Sequence, residues 1–232
     1  MIKIPFAIQQ QPTDESCGPT CLQAVYDYLE DPLDLSTVLR EVPMLSAGGT
    51  LAVMLGNHAL QRGFEVTLYT YNLQMFDPTW FVPGVDLAYK LRSQLLVKES
   101  KRLKEATQAY LEFLGWGGKI QFEELTPDLI QKHLEAESPI ITGLSSTYLY
   151  QNARELPDTN ESHDVRGLPV GHFVVLYGFN PATQMVSVAD PYPAHNLGQK
   201  LYYTVPVHRV INSILLGIVT FDANLLIVHP KN

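Results

Sequence analysis

The chain has 232 residues, 46% of them hydrophobic and 17% charged, which is enough apolar material for one globular domain that needs neither disulfides nor metal to hold its core. A formal net charge of -8, with no Lys/Arg run interleaved with aromatics, argues against a nucleic-acid surface. No window approaches the roughly twenty apolar residues of a membrane span, Met1 to Ile8 is too short for a signal peptide, and two cysteines make no disulfide framework, so a cytoplasmic protein is expected.

Met1 to Ile8 reads as an edge strand. From Pro19 onward Cys21, Leu22, Val25, Tyr28 and Leu29 recur at helical spacing, with Asp14 or Ser16 available as the cap and Pro19 suited to the first turn. Asp34 to Val42 reads as a short helix ended by Pro43, and Thr50 as the cap of a helix that runs through Arg62 and stops at Gly63. A strand over Phe64 to Tyr71 precedes an irregular stretch from Asn72 to Val85. Asp86 to Leu114 carries one long or two broken helices, ended by Gly115-Trp-Gly-Gly118. Within it Lys98, Lys101, Arg102 and Lys104, interrupted by Glu99 and Glu105, form a solvated face.

A strand at Ile120 to Phe122, a helix opened by Thr126-Pro127-Asp128 and a buried strand over Pro139 to Leu144 follow. Ser145 to Pro169 is rich in Asn, Asp, Glu and Pro, and reads either as a solvated loop or as a flap over a substrate. Gly171 to Gly178 reads as a buried strand, Asn180 to Gln184 as a turn, and Met185 to Pro191 as the returning strand. Leu201 to Thr204, a helix over Val207 to Ile214, and Leu225 to Val228 complete the chain.

Cys17 opens the first helix, where unpaired backbone N–H groups favour a thiolate over a thiol of ordinary pKa about 8.5. Gly18 beside it leaves the sulfur open to substrate. A nucleophilic thiol needs a base, an orienting acid and an oxyanion donor. If the Gly171–Pro191 hairpin folds about Pro181 and Ala182, His172 and Asp190 face each other within a residue or two, and opposed Cβ atoms about 5 Å apart let a carboxylate hold one imidazole nitrogen. Cys21, one turn beyond Cys17, falls on the apolar stripe and reads as core. His163, Asp164, His172, Asp190 and His195 lack the compact spacing of a zinc motif, so neither metal nor cofactor is expected. His58, His133, His208 and His229 read as surface or capping residues, and Trp80 and Trp116 as packing residues.

Gln11, Ser16-Cys17-Gly18-Pro19, Gly171-His172-Phe173 and Asp190-Pro191 together resemble the peptidase C39-like group of papain-fold cysteine peptidases. Gly63-Phe64-Glu65-Val66 and Ser146-Thr147-Tyr148 are similar to a stand-alone bacterial branch of that group, whereas Ser16 stands where exporter-linked members usually have aspartate. The resemblance implies an α+β, papain-like fold in which a helical lobe carrying the cysteine helix packs on a mostly antiparallel sheet. The chain is then a single domain over 1–232 with a helical insertion at about 72–118 and the loop or flap at about 145–170.

It further implies Cys17 as nucleophile, His172 as general base and acid, Asp190 as orienter, and Gln11 with the Cys17 N–H as the oxyanion hole. The expected activity is a cysteine peptidase or amide hydrolase working on a peptide or amide through a thioester. Two alternatives stay open: an acyl or peptidyl transferase with phytochelatin-synthase-like chemistry, and a non-catalytic peptide-binding module. Oligomeric state is not legible.

Overall fold

Apolar residues on both sides of the central strands require cover on both faces of a sheet, and the chain supplies it with two sets of helices. The computed structural model describes residues 1–46 and 48–231. In chain order it contains β1 (Ile2–Lys3), α1 (Cys17–Tyr28), α2 (Leu35–Glu41), α3 (Ala52–Gln61), β2 (Glu65–Thr70), α4 (Leu87–Leu95), α5 (Lys101–Gly115) and β3 (Lys119–Gln121). These are followed by α6 (Pro127–Glu135), β4 (Ile140–Ser145), α7 (Ser146–Tyr150), β5 (Gly171–Asn180), β6 (Met185–Ala189), β7 (Tyr202–Pro206), α8 (Val207–Leu216) and β8 (Asn224–His229). The eight-stranded sheet runs β3-β2-β8-β4-β5-β6-β7, with β1 paired to the far end of β5. Among the described residues, only β2 and β3 pair in parallel; the other pairs are antiparallel.

The period of two along each strand sorts its side chains between two cores. Phe173, Val175 and Tyr177 of β5, Leu226 and Val228 of β8 and Val66 and Leu68 of β2 join a core formed with α1 to α5. Val174 and Leu176 of β5, Leu225 and Ile227 of β8 and Ile140 of β4 join a second core with α6 and α8. The sheet is therefore a wall between two helical layers, an α+β arrangement, and β5 lies near its centre with His172 at its first turn of the ladder.

Several local expectations are corrected. Thr50 does not cap α3; its hydroxyl donates to the Pro43 carbonyl (3.0 Å), and α3 starts at Ala52 without a side-chain cap. Of the two readings of Asp86 to Leu114, the structure has two helices rather than one, because Ser100 accepts from Leu103 N–H and starts α5 afresh. The segment before β5 begins with a helix, α7, capped by Ser145, rather than with a loop. His58 and His133 are buried, not exposed, against Tyr26 and Tyr69, and Trp116 is exposed. Among the described residues, no helix is long and apolar enough to cross a membrane.

Candidate active site

The segment before α1 is knitted by hydrogen bonds that fix where Cys17 stands. The Ser16 hydroxyl accepts from Thr13 N–H (2.9 Å) and donates to Thr13 O (2.7 Å), while Ser16 O accepts from Thr20 N–H (3.0 Å) and the Thr20 hydroxyl (2.8 Å). Gln11 donates through Nε2 to Thr13 O (2.9 Å) and through its main chain to Pro191 O (2.9 Å), so the residue after Asp190 holds the residue that precedes the helix loop. Gln11 is buried, and its Oε1 has no hydrogen-bond partner.

Cys17 is the first residue of α1 and is half-buried, whereas Cys21 is fully buried with its thiol on the Phe173 carbonyl (3.4 Å). Burial, followed by the charges of Cys17 and Asp190, pushes the Cys21 thiol well up. Gly18 serves a different purpose from the one expected. A Cβ there would lie 2.7 Å from Thr50 Cγ2 and 3.2 Å from Phe173 Cδ2, so the glycine lets α1 close onto β5 and α3 rather than clearing a path to the sulfur.

The β5–β6 hairpin pairs Val175 with Ala189, which sets Asp190 two residues short of direct opposition to His172. The offset is bridged by the side chains: His172 Nε2 lies 2.8 Å from Asp190 Oδ1, leaving Nδ1 for Cys17. Burial disfavours a charged His172 ring, but the Asp190 carboxylate, the Cys17 sulfur and the hydrogen bonds to both outweigh it and raise the imidazole to about 10.

Asp190 is fully buried and accepts four hydrogen bonds, from His172, from Tyr192 N–H (2.9 Å) and from the hydroxyls of Tyr150 and Tyr203 (both 2.7 Å). Burial raises its pKa, yet the His172 charge and these bonds prevail and hold it below the usual carboxylate value. Burial and the Asp190 charge push both tyrosines well up, so they remain donors. His195 completes the cage: fully buried, it stacks on Tyr150 with centroids 4.9 Å apart and sets Nε2 3.9 Å from Asp190 Oδ2.

Cys17 and His172 line one cleft of about 410 Å³, together with Asp14, Glu15, Arg102, Glu155, Thr220 and Asp222. Arg102 departs from the solvated face expected of its helix. It reaches over the Phe221 ring (5.1 Å) and donates to Thr220 O (2.6 Å). A larger cavity, about 560 Å³ between α2, α3 and α5, contains none of the four expected site residues. His163 accepts from Arg166 Nε (3.1 Å), away from His172, and no group of three His, Cys, Asp or Glu side chains suited to a metal occurs among the described residues. Tyr150, Tyr203 and Asp222 escaped the sequence reading, and His195 enters it only as a candidate metal ligand. No local motif marks them, and only the fold gathers them from α7, β7, the loop after β6 and the turn before β8.

Comparison with solved structures gives a C39-like protein from Bacillus anthracis at 14% identity and TM-score 0.52, covering 99% of both chains. The peptidase domain of Streptococcus ComA, a bi-functional ABC transporter in a quorum-sensing pathway, aligns at 12% identity and TM-score 0.46 over 100% of both chains. A double-glycine-motif protease from an AMS/PCAT transporter, solved with its leader peptide, aligns at 16% identity and TM-score 0.47 over 98% of this chain and 94% of that one. Comparison with curated proteins finds no match. The model of the peptidase C39-like family matches residues 1–212. A chain that carries this match over nearly its whole length, on a fold shared with a C39-like protein, belongs to the peptidase C39-like family of cysteine peptidase-like hydrolases.

Proposed function

We propose that the protein hydrolyses an amide bond of a peptide through a thioester on Cys17, with His172 as acid and base, Asp190 as the orienting carboxylate and Gln11 as an oxyanion donor. One observation carries the reading: His172 is fixed on Asp190 through Nε2 at 2.8 Å, with its other nitrogen turned to a half-buried cysteine at a helix N-terminus. Attack of the sulfur on the carbonyl carbon forms the C–S bond. His172 then hands its proton to the leaving amine as the C–N bond breaks. Water, losing a proton to the same ring, attacks the thioester and returns the free thiol.

The Gln11 amide nitrogen has two protons, and Thr13 takes one, which leaves a second for the tetrahedral oxygen beside the Cys17 N–H. Turnover of a broad peptide mixture, followed by mass spectrometry, tests the assignment. Asp190→Asn and His172→Ala should each abolish or cut turnover by orders of magnitude, and Gln11→Ala should cut it by about 10²-fold. Unchanged turnover in any of the three removes that residue from its role. Products joined to an added amine or thiol would shift the reading from hydrolysis to transfer.

A further inference from the structure

Two carboxyls are buried beside the cleft, and they differ in how they are satisfied. A carboxylate offers about four acceptor positions. Asp190 has all four filled. Asp222, 6% exposed, receives one hydrogen bond, from the Thr220 hydroxyl at 3.0 Å. Its neighbours are backbone: a Cβ at Gly143 would lie 2.7 Å from its Oδ1, and one at Gly171 would lie 2.6 Å from its Oδ2. Neither glycine sends a side chain to meet it. The nearby cation, Arg102, is engaged with the Thr220 carbonyl and the Phe221 ring.

Burial pushes the Asp222 carboxyl up to about 7, against the Thr220 hydrogen bond and the charges of Arg102 and His172. The molecule thus keeps inside its cleft an acid to which the protein offers a single side-chain hydrogen bond and no cation in contact. The same cleft carries Asp14, Glu15 and Glu155 at its wall, against Arg102 and His172 as its basic groups. Burial, and after it the charge of Asp14, raise the Glu155 carboxyl as well.

We propose that this end of the cleft is a cation subsite, in which Asp222 takes the ammonium or guanidinium of a Lys or Arg side chain near the scissile bond of the peptide, with Glu155 and Asp14 at its rim. An ammonium brings three donors and the charge that the buried carboxylate lacks. The subsite rests on the cysteine-peptidase reading, because the bound side chain must belong to the peptide that Cys17 attacks.

Dipeptidyl chloromethyl ketones test it, in which the sulfur displaces chloride and stays covalently attached. Lysine is compared with norleucine, either at the residue bearing the ketone or at the one before it, at about pH 8, where Asp222 is ionised. At one of the two positions lysine should label Cys17 at least about tenfold faster, a difference of about 1.4 kcal/mol, and Asp222→Asn should bring the ratio to near unity. Equal rates for lysine and norleucine at both positions in the unmodified protein would overturn the subsite, and this comparison needs no variant to fold. A preference that survives in Asp222→Asn would remove Asp222 from it. Iodoacetamide serves as the independent arm: if it does not single out Cys17, the nucleophile assignment has failed rather than the subsite.

Discussion

Cys17 and Cys21 sit one helical turn apart in opposite surroundings. One is half-buried beside an imidazole, and the other is sealed against the Phe173 carbonyl with its thiol pushed up by burial. Brief iodoacetamide treatment at neutral pH should therefore modify Cys17 well before Cys21, as read by peptide mass spectrometry. The tyrosines around Asp190 give a second expectation. Tyr203→Phe removes one donor from a buried carboxylate and should cost about 1–3 kcal/mol by urea denaturation while also lowering turnover. Asp222 gives a third, in pH. Its folded pKa of about 7 lies above the ordinary 3.8, so the folded state retains a proton that the unfolded chain releases. Stability from this group is complete at low pH and is lost as pH rises towards 7. Asp222→Asn should therefore gain on the unmodified protein between about pH 4 and 7.5, by on the order of 2–4 kcal/mol in denaturation. His172, raised from 6.5 to about 10, has the same sense in a higher window: its contribution is complete below about pH 6.5 and is lost as pH rises towards 10.

Helix α1 keeps its place because nothing projects from Gly18 towards Thr50, Phe173 and Leu55. Gly18→Ala should cost about 1–3 kcal/mol by overpacking and move the Cys17 sulfur, so a fall in thermal midpoint should accompany slower labelling. Much of this level was legible in the sequence. The apolar repeat of α1 and the strand–turn–strand pattern of Gly171 to Pro191 each needed only neighbouring residues, and both appear close to the expected bounds. What escaped depended on partners far along the chain. Thr50 serves Pro43 instead of its own helix, and Arg102 leaves a charged helix face for Thr220, 118 residues away. The hydroxyls that donate to Asp190 come from α7 and β7, which no spacing rule connects to the residue they hold.

At the scale of the whole molecule, the first eleven residues act as a strap between the two ends of the chain. Ile4, Phe6 and Ile8 are buried, Ile4 N–H donates to the Tyr177 carbonyl, Ile8 N–H to the Tyr202 hydroxyl, and Gln11 N–H to the Pro191 carbonyl. Phe6→Ala should lower stability by about 3–5 kcal/mol, measured by denaturation, because its ring packs with Tyr28 and Tyr177 across the strap. The strap also sets a schedule. Ile8 and Tyr202 are separated by 194 positions, and contacts of such separation close late because the intervening chain must first be ordered. During synthesis Cys17 leaves the ribosome long before the residues that hold His172 and Asp190 exist. A nascent chain halted short of Tyr202 should show a Cys17 that alkylates like any ordinary thiol, so that, on the proposed mechanism, a cutting site forms only once the chain is nearly finished.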